Sequence, residues 1–165
     1  MILIGIGSNL PSIAGSPVET CTKALVHLVS LGVQIIARSP WYETAPVPVS
    51  DQPWFANGVA EVGTNLDPLA LLNVFQAIEA EFGRVRGEKD AARTVDLDLL
   101  AYNGVISDDP RLILPHPRIQ ERAFVLFPLR DLAPAWRHPI LGLTASEMAD
   151  RLQPGQQLRR FGGSP

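Results

Sequence analysis

The chain has 165 residues, 46% of them hydrophobic and 19% charged, with a formal net charge of −3 at pH 7. This is enough for one domain with a full core, and the balance speaks against a general binder of nucleic acid or anionic membranes. A single cysteine, Cys21, excludes an internal disulfide. There is no apolar run of membrane-spanning length and no charged leader before the first apolar segment, so a cytoplasmic location is expected.

In chain order, Met1 to Gly7 is an apolar run ended by glycine, which predicts a buried strand. The Gly5-Ile6-Gly7 pair suggests a dinucleotide fingerprint. However, Leu10 stands where the third glycine belongs and no helix start follows at once, so that reading is rejected. Ser16-Pro17-Val18-Glu19 predicts a capped helix start. Val18, Cys21, Leu25 and Leu28 give that helix an apolar face, and Gly32 closes it. Cys21 falls on this face and is read as packing; His27 lies off it and is read as solvated.

Val33 to Trp41 predicts a second strand. Glu43 to Pro53 holds three prolines and no period, an ordered loop suited to presenting backbone groups to a ligand. Trp54 to Gly63 predicts a third strand with Phe55 and Asn57 on one face, an aromatic–amide surface suited to a flat heterocycle. Asp67-Pro68 opens a second helix, whose apolar residues are Leu69, Leu72, Phe75, Ile78 and Phe82 and which ends at Gly83. Gln76 and Glu79 share a side of it.

Gly83 to Leu100 reads GRVRGEKDAARTVDLDLL. Arg84, Arg86, Lys89 and Arg93 precede a stretch that alternates polar and apolar from Thr94 to Leu99, the period of a half-buried strand. Asp96 and Asp98 then share one face, and Val95, Leu97 and Leu99 the other. Two adjacent carboxylates repel unless solvated or bridged by a cation, and hard oxygens suit Mg²⁺ with substrate phosphates completing its shell. The arginines supply phosphate grips, so the stretch points to a Mg-nucleotide site. A solvated strand edge beside a solvated basic loop is the plainer reading of the same residues.

Asn103-Gly104 is a tight-turn signal. Pro115-His116-Pro117 holds a histidine in a stiff segment, a candidate phosphate contact. Glu121–Leu132 and Thr144–Leu152 predict short helices. The tail from Pro154 to Pro165 is expected to fray, leaving residues 1–153 as a single domain. The order strand, helix, strand, strand, helix, strand fits an α+β, ferredoxin-like βαββαβ antiparallel sheet with both helices on one face and extra short C-terminal helices. The opposite face is left free for a site lined by Phe55, Asn57, Asp96 and Asp98.

Taken together, Gly5-Ile6-Gly7-Ser8-Asn9-Leu10, Trp41-Tyr42-Glu43-Thr44, the Asn57 strand, Gly83-Arg84-Val85-Arg86, Arg93-Thr94-Val95-Asp96-Leu97-Asp98 and Pro115-His116-Pro117 with Arg122-Ala123-Phe124-Val125 resemble the 6-hydroxymethyl-7,8-dihydropterin pyrophosphokinase family of folate synthesis. The resemblance covers roughly residues 1 to 135 and implies a ferredoxin-like fold. It also implies transfer of the β,γ-diphosphate of ATP to the pterin hydroxymethyl group, with release of AMP.

Carried over, the resemblance gives Asp96 and Asp98 two Mg²⁺ ions, and gives Arg84 and Arg93 the neutralisation of charge during transfer. It puts Gln76, Glu79, Arg86, Arg111, His116 and Arg122 on the ATP side. On the pterin side it puts Asn57, backbone groups near Thr44 and Val47, and a stack between Phe55 and Phe124. Small-molecule substrates and a monomer are expected, with no nucleic-acid or membrane partner. The sequence departs from the family pattern in three places. Phe55 replaces a frequent Tyr, Asp90-Ala91-Ala92 stands where Trp-Gly-Pro is usual, and Ile113 replaces a small polar residue. The alternative is a relative that binds ATP or a pterin with weak or altered transfer activity, acting as a binding or regulatory module; a ferredoxin-like nucleic-acid binder is disfavoured because paired aspartates would repel phosphate.

Overall fold

In the computed structural model, which describes residues 1–10, 12, 15–83 and 94–161, the first strand is the middle of the architecture. β1 (Ile2–Ser8) is apolar almost throughout and pairs antiparallel on both sides, with β4 (Phe55–Gly63) and with β5 (Asp96–Tyr102). β4 is long enough to take two partners on its other edge: β2 (Gln34–Arg38) at one end and β3 (Tyr42–Thr44) at the other. The sequence predicts one strand over Val33–Trp41 and a loop from Glu43; the strand stops at Arg38, and β3 takes up Glu43 and Thr44 from the start of that loop. The break falls at Ser39-Pro40, because proline has no N–H for the ladder. Ser39 fills part of the gap, its Oγ accepting the Val59 N–H at 3.0 Å. The sheet order is β5-β1-β4-β3-β6, with β2 beside β4.

β6 (Leu158–Arg160) corrects the expectation of a fraying tail over its three residues. It pairs antiparallel with β3, Thr44 opposite Leu158. Glu43–Arg159 at 2.7 Å and Asp131–Arg160 at 2.9 Å fasten it, and the Tyr42 hydroxyl donates to the same Asp131.

α1 (Pro17–Ser30) carries the predicted capping box: Ser16 accepts the Glu19 N–H, and Glu19 returns a bond to the Ser16 N–H. Cys21 is fully buried on its core face, and burial, with the Asp96 charge behind it, pushes the thiol up to about 12. His27 is not simply solvated, since its Nδ1 lies 3.0 Å from Glu81 and ties α1 to the end of α2. α2 (Pro68–Glu81) is capped by Asp67 and buries Leu71, Phe75 and Ile78. Leu71, rather than Leu69 or Leu72, supplies its first buried position.

The predicted placement of the helices needs one correction. α1 and α2 do share a face, packing on Ile4, Ile6, Val62, Leu97 and Leu99. The opposite face is not left open along its length. α3 (Ala123–Leu132), entered through a 3₁₀ turn at Ile119–Glu121, and α4 (Ala145–Asp150) cover part of it. Leu126, Leu129 and Met148 there meet Leu3, Val59 and Leu100 of the sheet. These strand residues lie on the same side as Gly5, Gly7, Asn57 and Asp98, because side chains two apart share a face.

Candidate functional site

Three neighbouring strands change character along that face. β1 runs from Leu3 to Gly5 and Gly7, β4 from Val59 to Asn57 and Phe55, and β5 from Leu100 to Asp98 and Asp96. The apolar ends lie under α3 and α4. The other ends open into a cleft that, counted with the solvent at its mouth, encloses about 830 Å³.

The glycines form its floor. Gly7 sits opposite Asn57 on one side and Asp96 on the other, and Gly5 is opposite Asp98. A Cβ on Gly7 would stand 2.4 Å from Asn57 Oδ1, so the amide occupies the space that a side chain would take. Asn57 is only 9% exposed, and its Nδ2 donates to Thr44 Oγ1 at 2.8 Å. This bond fixes the plane of the amide and leaves the remaining amide hydrogen and Oδ1 for a ligand edge.

The walls come from two segments. On one side Thr44, Ala45, Pro46 and Val47 run past the end of β3. On the other, the turn into α3 supplies Arg118, Arg122 and Phe124, with the Arg122 guanidinium 5.3 Å from the Phe124 ring centre. Phe55 and Phe124 both line the cleft. Asp96 and Asp98 line it from β5, both half-buried and on the same face as predicted. Among the described residues no group of three or more His, Cys, Asp or Glu could hold a metal. A cation here would take these two carboxylates and complete its shell from water and substrate, which is how Mg²⁺ binds.

Of the expected ATP-side residues, Arg122 lines this cleft, whereas Gln76, Glu79, Arg111 and His116 are not among its lining residues. The segment at His116 runs along the strand, the His116 N–H donating to Leu100 O at 2.8 Å. His116 Nδ1 accepts the Arg118 N–H at 3.1 Å, which places the ring proton on Nε2. Burial and then the Arg122 charge push His116 down to about 4, with Asp96 pulling the other way, so the ring is neutral near pH 7. Glu79 is 5% exposed and accepts the Leu97 N–H at 3.1 Å, capping the outer edge of the strand that carries both aspartates. Gln76 is half-buried on the same helix. Arg111 is exposed and held by Asp109 at 2.7 Å, its bonds lowering the Asp109 carboxyl to about 2. Arg84, Arg86 and Arg93, and the segment where Trp-Gly-Pro is replaced, lie outside the described residues.

Sequence reasoning missed Arg118. Its signal was its place two residues after His116, where a backbone bond back to the imidazole brings its side chain to the cleft. It also missed the role of Gly7, whose importance lies in the missing Cβ.

The family model for 7,8-dihydro-6-hydroxymethylpterin-pyrophosphokinase matches residues 3–134 of this chain. The chain belongs to that family. Among its relatives is the 2-amino-4-hydroxy-6-hydroxymethyldihydropteridine pyrophosphokinase of Pseudomonas aeruginosa, 46% identical over 139 residues, covering 84% of this chain and 83% of the relative. The enzyme of the same name from Methylorubrum extorquens is 41% identical over 152 residues, 92% of each chain. The fold is also that of the crystal structure of a Plasmodium falciparum HPPK-DHPS triple mutant, with a TM-score of 0.72 at 18% identity. That match covers 91% of this chain and 42% of the other, so the present chain spans less than half of the Plasmodium protein. The matched range of this pyrophosphokinase family takes in every cleft-lining residue named above.

Proposed function

We propose that this chain transfers the diphosphate of ATP to the hydroxymethyl group of 6-hydroxymethyl-7,8-dihydropterin, giving the pterin diphosphate and AMP. The observation that carries the reading is one cleft lined together by Asp96 and Asp98, a fixed amide edge and a guanidinium. The pterin ring lies between Phe55 and Phe124, and its hydrogen-bonding edge meets Asn57 and backbone groups from Thr44 to Val47. Its hydroxymethyl group then points toward β5. The triphosphate crosses β5 from the side of Gln76, Glu79, Arg111 and His116. The neutral His116 offers its Nε2–H to a phosphate oxygen. Arg122 faces the transferring group, with Arg84, Arg86 and Arg93 as further phosphate grips.

The hydroxyl oxygen attacks the β-phosphorus in line. The bond from that phosphorus to the α,β-bridging oxygen breaks, AMP departs with the electron pair, and the hydroxyl proton passes to Asp96 or to water. Asp96 and Asp98 would hold Mg²⁺, two ions in this proposal, which would supply charge neutralisation for the phosphate oxygens. Around them the chain's own groups bind and orient, and positioning of this kind accounts for much of such catalysis. The strand order supports a ferredoxin-like reading once β2 and β3 are counted as one interrupted strand. We further propose a single catalytic domain that takes in residues 1–153 and the β6 segment paired with β3, acting as a cytoplasmic monomer.

The test is to mix the protein with Mg-ATP and 6-hydroxymethyl-7,8-dihydropterin and follow the nucleotide product. Pterin-dependent AMP supports the proposal. ADP would mean transfer of one phosphoryl group, and no turnover would leave a binding module.

A further inference from the structure

The C-terminal segment reaches both walls of the cleft with two consecutive residues. The Gln156 side chain bridges the turn into α3: its Oε1 accepts the Ala123 N–H at 2.9 Å, and its Nε2 donates to Glu121 O at 2.8 Å. Between those two residues stands Arg122. Arg122 occupies the cap position of α3 and makes no side-chain cap bond, so the helix takes its cap from a residue 33 positions later in the chain. The next residue, Gln157, accepts the Ala45 N–H at 2.9 Å through its carbonyl, on the opposite wall. β6 then holds the segment in place against β3.

We infer that Gln156 is a positioning residue for the reaction. Its amide fixes the backbone on both sides of Arg122 and one residue before Phe124, and so sets the guanidinium and the ring against the cleft. The inference rests on the functional reading above for its kinetic consequence. Its structural consequence, an ordered first turn of α3, stands apart from that reading.

The two parts are tested together on the full chain. In Gln156→Ala, hydrogen exchange at the Ala123 amide rises about tenfold, while amides of β1 and β4 keep their rates, since a lost cap frees only the local turn. The KM for the pterin rises about tenfold, with kcat lowered less and the melting temperature nearly unchanged. Gln156→Glu keeps the acceptor for the Ala123 N–H but loses the donor to Glu121 O, so it recovers most of the protection at Ala123 and part of the KM; this rescue separates positioning from a general structural defect. Unchanged exchange at Ala123 overturns the inference. So does loosened exchange with unaltered KM, or a parallel loss of KM, kcat and melting temperature that Gln156→Glu does not restore. A wild-type protein that makes no AMP sinks the functional reading instead, and the exchange measurement still decides whether Gln156 orders the turn.

Discussion

Gly7→Ala tests the floor of the cleft at one atom. The new Cβ would lie 2.4 Å from Asn57 Oδ1, and ordinary contact begins at 3.4 Å, so one of the two must move by about 1 Å. Gly7 has no unusual backbone angle, so the strand itself accepts alanine. The atom in the way is the end of a side chain. That side chain is buried, however, and tied to Thr44 by a 2.8 Å bond. If the amide turns away, that bond is lost and the amide no longer presents its edge to the ligand. A buried polar group left unpaired costs about 1–3 kcal/mol. Part of the loss in stability is offset, because replacing glycine in a compatible conformation restricts the unfolded chain by about 0.4–1 kcal/mol. Folding stability should therefore fall by no more than about 2.6 kcal/mol.

Pterin affinity should fall by about 10- to 100-fold, from the same unpaired edge counted at the ligand. Calorimetry with the pterin and with a nonhydrolysable ATP analogue reads the two substrates separately, and ATP affinity should stay near its wild-type value. Gly5→Ala is the internal control. Its Cβ would meet only Leu100 and Asp98 side-chain atoms at 3.7–3.8 Å, ordinary contact, and it should keep its stability. A Gly7→Ala protein that binds pterin within twofold of wild type would refute the argument. The amide would then be free to relax without losing its function.

Three other outcomes follow from the same geometry. Asp96→Ala and Asp98→Ala should each lower turnover by at least about 10²-fold with an unaltered melting curve, since misplaced phosphates alone have that effect; near-normal turnover in either would sink the metal assignment. Asn57→Ala should weaken pterin binding by about 1–3 kcal/mol and leave ATP binding alone, and equal losses measured by calorimetry would refute the division of the site. His116 in the folded protein is pushed from 6.5 down to about 4. As pH falls below 6.5 the unfolded chain takes up a proton that the folded chain refuses, so stability is lost between about pH 6.5 and 4. The ceiling is about 3 kcal/mol. Urea melts at pH 7 and pH 5 should show that loss in the wild type and a smaller one in His116→Asn; identical slopes would remove His116 as its source.

Much of the fold was written in local chemistry. Ser16 and Glu19 specified the start of α1, Asp67 and Pro68 that of α2, and alternation around Asp96 and Asp98 specified which side of β5 each residue faces. Asn103 and Gly104 both adopt positive φ, 48° and 73°, as a tight turn at that pair requires. What was illegible depends on partners far away in the chain. Leu158–Arg160 has no strand period of its own and becomes a strand by pairing with residues more than a hundred positions earlier. Glu79 reads as a surface residue of a helix until the unpaired Leu97 N–H at the sheet edge is placed beside it. Arg118 looked like loop charge because only the fold of the His116 segment turns it toward the cleft.

The position of the cleft follows from where α3 stops. Leu3, Val59 and Leu100 share a face with Gly5, Asn57 and Asp98, two residues away on each strand, yet the first set is fully buried and the second is not. Burial of an unpaired carboxylate in the first set would be severely unfavourable, so aspartates could not sit beneath α3. Solvent and a ligand must reach them, and the sheet offers that only beyond the helix N-terminus. The chain entering α3 passes that same boundary, and it carries Arg118, Arg122 and Phe124 to the cleft from above. The helix that seals the apolar half of the face therefore also delivers the basic and aromatic wall of the polar half. The turn between its 3₁₀ entry and its first residue sets how closely that wall meets the two aspartates.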